Sequence, residues 1–464
     1  MPSSLIELLE GLRRAILAAS DFVWGPWTML LLLGSGLFLS LRYRFVQVTR
    51  LREAARVSLT RSDGTTEGAL SPFQAFMTAL GASIGTGNIA GVATAVVSGG
   101  PGAVFWIWCY GFFATTIKLT EAVLGITFRH VEAGKVLAGP SLYLRDGMKM
   151  PRLGWLYGLV AGVAALTTTP FTQPNSIAVV LESELGVRTW VSGLGIAVLA
   201  WLVIIGGIRS IGRAAEALTP LKVGLYLVGG VAVILSHLPR LPETIALILR
   251  EAFSLRAATG SVAGVGVMVA LRYGLARGIY ANEAGYGTAA VAYGAARSTR
   301  PLQQGLNAVI EVFVVSFVTS SISALTILVS GVWNGGRTST AVVAQAFSTV
   351  IPGGGLVVAF CVFLFGYTTL IGWAYYGEQF LEHLFGPRIV TPYRWVYCGL
   401  VYFGATSRVD TVWAWGDLMN GLQIFPNLVG VLGLSGLVAA MLKRNHGGTE
   451  DGEKGQTEKG ATRG

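Results

Sequence analysis

The sequence predicts an all-α polytopic membrane protein, and three observations carry that prediction. Hydrophobic residues make up 53% of the 464-residue chain and charged residues only 12%, with a mean hydropathy of +0.61. That is too apolar for a water-soluble protein with one buried core and a wetted surface. Apolar runs of about 20 residues, enough to cross a hydrocarbon core of about 30 Å, recur along the chain. Two of them are interrupted by glycine-rich stretches, GASIGTGNIAGVATA from Gly81 and NEAGYGTAAVAYGAA from Asn282. Hydrocarbon tolerates non-helical backbone only where protein or a water-filled cavity surrounds it, so paired interruptions point to a solute site near the membrane midplane.

Eleven spans can be placed: Phe22 to Leu41, Phe73 to Val97, Gly102 to Phe128, Leu153 to Leu181, Thr189 to Gly206, Ala217 to Ser236, Ser261 to Ala295, Leu302 to Val332, Gly353 to Phe385, Tyr393 to Ala405 and Thr411 to Leu442. The first is long enough to span and reads as retained rather than cleaved. Pro242 to Phe253 is amphipathic and too short to cross, so it is expected on the outer surface. After the first span, the interrupted ones are the first and sixth of the remaining ten, and therefore cross in opposite senses. This predicts a five-plus-five inverted repeat. The expected organisation is a lead, first span and basic loop (1–71), a first repeat (72–236), an extracellular connection (237–260), a second repeat (261–442) and a disordered cytoplasmic tail (443–464).

Basic residues orient the chain, because cytoplasmic loops collect Lys and Arg. Arg42, Arg44, Arg50, Arg52, Arg56 and Arg61 follow the first span, and Arg129, Lys135, Arg145, Lys149 and Arg152 follow the third. Arg209, Arg213, Lys222, Arg297, Arg300, Arg388 and Arg394 are counted on the same side. The amino terminus is expected outside and the carboxy terminus in the cytoplasm of a cell whose inner (plasma) membrane holds the protein. The formal charge of +10 then reflects this asymmetry and anionic membrane lipid, with no nucleic-acid partner needed. Cys109, Cys361 and Cys398 lie in apolar segments as packing residues. His130, His237, His383 and His446 are scattered and pair with no nucleophile or metal cluster, and the formal GxSxG at Gly81 to Gly85 lacks a strand-turn-helix context. No enzyme and no cofactor is expected.

At Gly85, Thr86, Gly87 and Asn88, missing side chains expose backbone, and a half-helix amino terminus carries partial positive charge suited to a carboxylate. Close helix packing through small residues is the plainer reading of the same glycines. Lys118 and Glu121, three apart on one face, are expected to neutralise one another. Arg272, Arg277 and Asp417 lie toward the outer half, where an Arg–Asp pair could close a gate.

Several long motifs in order resemble the alanine or glycine:cation symporter family of amino-acid carriers. They are VWGPWTMLLLLGSGLFLSLRYRFVQ from Val23, SPFQAFMTALGASIGTGNIAGVATAVVSGGPGAVFWIW from Ser71, QPNSIA from Gln173, NEAGYGT, GWAYYGEQFLEHLFG from Gly372 and GDLMNGLQIFPNL from Gly416. The resemblance implies a LeuT-type fold with one extra amino-terminal helix. It implies uptake of a small neutral amino acid, alanine or glycine first, by alternating access coupled to sodium. A proton-coupled or differently selective carrier is the alternative, and a channel or a transport-dead solute sensor represents another class. It assigns substrate contacts to Gly85, Thr86, Gly87, Gln173, Asn175, Gly285, Tyr286, Gly287 and Trp373. Sodium, a hard ion, would take the Gly81 and Ile84 carbonyls with the Thr368 and Thr369 hydroxyls, and a second cation would draw on Ser83 and Asn88. Departures from the family pattern are Tyr286 for Met, Pro174 for Ala, and Val315-Ser316 for Asp-Thr. Glu311, where a small residue is usual, stands four residues before Val315 on the same helical face and is the candidate coupling residue. It either takes over the missing charge, titrates as a proton site, or sits near the cytoplasmic end beside an arginine.

Overall fold

The computed structural model of the protein describes residues 3–59, 67–132, 135–254, 265–407 and 409–444. Ser261, the last part of the 237–260 connection and the tail from Asn445 fall outside them. The chain runs through α1 Ser3–Val23, α2 Pro26–Arg42, amphipathic α3 Leu51–Leu59, the pieces α4 Pro72–Ser83 and α5 Ala90–Gly99, and long α6 Ala103–Thr127. It continues with α7 Pro151–Thr167, α8 Thr169–Leu185, α9 Thr189–Ile204, α10 Gly207–Ser236 and α11 Leu241–Ala252. The second set is α12 Val265–Asn282, α13 Thr288–Gly294, α14 Pro301–Phe313, α15 Ser320–Ser330, α16 Ser339–Ser348, α17 Gly354–Phe385, α18 Val390–Thr406 and α19 Val409–Gly433. A small antiparallel hairpin pairs β1 His130–Glu132 with β2 Lys135–Leu137.

Among the described residues, six helical stretches are long and apolar enough to cross a membrane, and two bent pairs raise the number to eight. The predicted eleven are not all of that kind. With 16 residues, α9 is about 24 Å long at 1.5 Å per residue, short of a full crossing. The span predicted from Ser261 to Ala295 is cut in two by its interruption.

Both glycine-rich stretches do break their helices. Ser71 opens α4 with a capping box, its hydroxyl accepting from Gln74 N while the Gln74 side chain accepts from Ser71 N, and Pro72 fits the first helical position. The helix stops at Ser83, Gly85 is extended, a 3₁₀ turn covers Thr86–Asn88, and the two halves are bent by 57°. At the second break the backbone is left-handed at Glu283 (φ +55°), Gly285 (φ +95°) and Gly287 (φ +85°) before α13 begins. Glycine adopts that region without a Cβ penalty. At Gly287 a Cβ would also overlap the Pro140 ring and stand 2.6 Å from Tyr157 Oη.

The helices around the breaks hold them face to face. α6 packs along α12, α13 and α14, while α10 and α17 lie against α4, and α19 packs on α7. Residues α14 to α15 are joined by a π-helical turn, Val314–Thr319, a distortion found often at functional sites. Replacing Gly287 by Ala is expected to cost about 2–5 kcal/mol from left-handed strain and overpacking. Thermal unfolding of the purified protein in detergent measures it.

Candidate substrate and cation site

An unsatisfied buried N–H or C=O costs about 1–3 kcal/mol, and each broken helix strands several. At the second break, side chains from distant helices meet them. Lys118 Nζ donates to Asn282 O at 2.6 Å, Tyr110 Oη to Ala284 O at 2.8 Å, Asn427 Nδ2 to Gly285 O at 2.8 Å and Tyr157 Oη to Tyr286 O at 2.6 Å. Glu121 Oε1 accepts from Gly285 N at 2.9 Å, Gly287 N at 3.1 Å and Asn427 Nδ2 at 2.7 Å. The expected Lys118–Glu121 neutralisation is thus replaced: Lys118 pairs with Glu311 at 2.6 Å, and Glu121 serves the break.

At the first break, Gln173 Oε1 accepts from Thr86 N at 3.1 Å and Thr86 Oγ1 at 3.0 Å. Between the two breaks lies a tight pocket of about 10 Å³, room for about one water molecule as the side chains stand. Ala82, Ser83, Gly85 and Gly87 line it from the first break, and Tyr280, Glu283 and Tyr286 from the second. Thr169, Gln173, Thr369, Trp373 and Asn420 close the remaining walls. Glu283 is held by Trp373 Nε1 at 2.6 Å and Thr288 Oγ1 at 3.1 Å. The Tyr286 and Trp373 rings meet edge to face, centroids 6.4 Å apart. Toward one side, Arg277 and Asp417 stand 3.7 Å apart, and Arg272 contacts Asp21 at 2.6 Å. Toward the side carrying Lys135 and Arg209 there is a wider vestibule of about 820 Å³, bordered by the Arg394–Glu378 ion pair at 2.7 Å.

Both oxygen sets expected to hold cations are in contact with lysine ammonium groups. Lys222 Nζ donates to Gly81 O at 2.9 Å, Ile84 O at 2.6 Å and Thr368 Oγ1 at 2.5 Å. Thr369 Oγ1 donates to Ala82 O at 2.7 Å. Near the second set, Lys118 Nζ donates to Ser83 Oγ at 2.7 Å, and Ser83 Oγ donates to Glu311 Oε1 at 2.6 Å. Tyr293 Oη donates to the other Glu311 oxygen at 2.8 Å. Glu311 is therefore fully buried in an ion pair, not wetted beside an arginine. Asn88 Nδ2 donates to Ser320 Oγ at 3.2 Å and Thr319 Oγ1 at 3.3 Å. Val315 is buried, and Ser316 Oγ donates to Asn282 Oδ1 at 2.8 Å.

Of the residues assigned to substrate, Gly85, Gly87, Gln173, Tyr286 and Trp373 line the cavity, and Thr86 is bonded behind Gln173. Gly285 and Gly287 do not line it; their N–H groups are taken by Glu121. Asn175 does not line it either: its amide donates to Gly404 O at 3.2 Å and Ser407 O at 2.9 Å, tying α8 to the end of α18. Thr169, Tyr280 and Asn420 were missed as lining residues, and Glu121 and Asn427 as supports. Lys222 was counted among cytoplasmic charges, yet it is fully buried. Its signal was available, since a lysine within a predicted span is by default a functional candidate.

Two broken helices facing each other around a small pocket, inside a bundle of apolar helices, make up a fold of the LeuT type. The crystal structure of MhsT in complex with L-phenylalanine superposes with a TM-score of 0.57 at 13% identity, covering 81% of this chain and 98% of that one. The chain belongs to the sodium:alanine symporter family, whose model matches residues 9–459. It is 37% identical to the sodium/alanine symporter AgcS of Methanococcus maripaludis, over 91% of this chain and 95% of the relative. It is 29% identical to the sodium/proton-dependent alanine carrier protein of Bacillus sp. strain PS3, over 81% of this chain and 88% of the relative. The protein is an amino-acid symporter, not an enzyme, and a multi-pass membrane protein. Replacing Lys118 by Met is expected to cost about 3–5 kcal/mol by leaving Glu311 charged and unpaired, with much of the loss recovered in Lys118→Met/Glu311→Gln. Denaturation of the two purified variants decides this.

Proposed function

We propose that the protein carries a small neutral amino acid, alanine or glycine first, into the cell by alternating access in symport with a cation. The observation that carries this reading is the small cavity walled by both breaks. The substrate carboxylate lies toward Gly85 and Gly87 at the start of the second half-helix, where the helix dipole favours negative charge. Its ammonium faces Glu283, and the Tyr286–Trp373 pair bounds a short side chain. The five-plus-five organisation of 72–236 and 261–442, eleven crossings, an outside amino terminus and a cytoplasmic carboxy terminus belong to the same proposal, supported by the distribution of basic residues.

Sodium is the coupling ion on the family reading. Proton coupling, with Glu311 as the coupling position, is the second reading, favoured by the lysine ammonium groups on the oxygens that sodium would use. One charge moving down 100 mV releases about 2.3 kcal/mol, enough for roughly fifty-fold accumulation. Uptake of radiolabelled alanine and glycine into liposomes, with sodium and proton gradients imposed separately, tests the proposal. Saturable, concentrative uptake under either gradient is expected, and the effective gradient names the ion. Flux that never saturates would instead indicate a channel, and binding without uptake a sensor. Trp373→Ala is expected to raise the half-saturating alanine concentration about tenfold or more, while Glu311→Gln is expected to change the rate and cation dependence of uptake.

A further inference from the structure

We propose that Lys222 supplies a cation of the chain's own at the position where the family resemblance puts a transported sodium ion, so that this position takes up no sodium during the transport cycle. The proposal rests on the reading of the protein as a cation-coupled carrier. An ammonium group has three donors and no acceptor, and Lys222 places them on three oxygens, Gly81 O, Ile84 O and Thr368 Oγ1. These are three of the four oxygen sources expected for sodium. The Phe365 ring adds a face, its centroid 5.2 Å from Nζ.

The two buried lysines differ in kind. Lys118 touches the Glu311 carboxylate, an ordinary buried ion pair. Lys222 has no carboxylate in ion-pair contact among the described residues. A charge held by carbonyls, a hydroxyl and an aromatic face has the surroundings of a coordinated cation. The approach that puts it there is built into the helix packing. Thr219, one turn before Lys222, donates to Met77 O at 3.1 Å, and the missing side chain at Gly81 lets the two helices close, since a Cβ there would stand 2.6 Å from Thr219 Oγ1. Sodium would need the same oxygens, and two positive charges at one set of carbonyls repel strongly in a medium of low dielectric.

The test measures radiolabelled sodium bound per chain by the purified protein in detergent, for wild type, Lys222→Met and Lys222→Met/Thr368→Ala. Lys222→Met is expected to bind one more sodium ion than wild type, and the double variant to lose it. Equal binding by wild type and a folded Lys222→Met protein overturns the proposal. Should Lys222→Met not fold, the wild-type count decides: at most one bound sodium ion per chain is expected, and two overturn the proposal. Failure of the carrier reading would show separately, as wild-type protein that takes up neither alanine nor glycine under any gradient while the sodium counts remain readable.

Discussion

A backbone group without a hydrogen-bond partner, in a region that water does not enter freely, is the constraint around which this molecule is arranged. Each helix break strands carbonyls and N–H groups inside the helix bundle, and partners come from across the chain. Tyr110, Lys118 and Glu121 arrive on α6, Tyr157 on α7, Gln173 on α8, Lys222 on α10 and Asn427 on α19. Residues more than a hundred positions apart are thereby fixed around two short stretches, and the cavity is the space left between them.

The first break also separates two ends of unlike polarity. The carbonyl end of α4, at Gly81 and Ile84, faces a lysine ammonium, as its partial negative charge requires. At the amino end that follows, the Thr86 N–H is taken by Gln173 Oε1. One interruption therefore gathers a positive and a neutral partner within a few residues. The two lysines near it resolve the cost of burial differently, Lys118 through a carboxylate and Lys222 through neutral oxygens.

The class of fold was legible because composition and apolar run length are bulk properties, and both breaks were legible because runs of glycine within an apolar span weaken a helix, with Gly285 and Gly287 taking the left-handed backbone that glycine adopts without penalty. Gln173, Tyr286 and Trp373 were found through motif resemblance. Glu121 and Lys222 were not. Lys222 was grouped with Arg209 and Arg213 by charge although it falls inside the span Ala217 to Ser236, and pairing along one helix, as supposed for Lys118 and Glu121, is the only kind that sequence spacing exposes. Asn175 and the glycines Gly285 and Gly287 show the opposite error, in which residues of a recognisable motif hold the scaffold instead of facing the cavity. The count of crossings differs from the predicted eleven for a geometric reason, since α9 is short and spans are bent or interrupted.

The ties at the second break have a mechanical consequence. A gap in a helix is commonly pictured as a joint, but Asn282, Ala284, Gly285, Tyr286 and Gly287 are each lashed to α6, α7 or α19. Such a gap behaves as a stiff corner. Any movement of these helices would carry the corner, α6 and the buried Lys118–Glu311 pair together as one body, and bending would fall to the connections outside it.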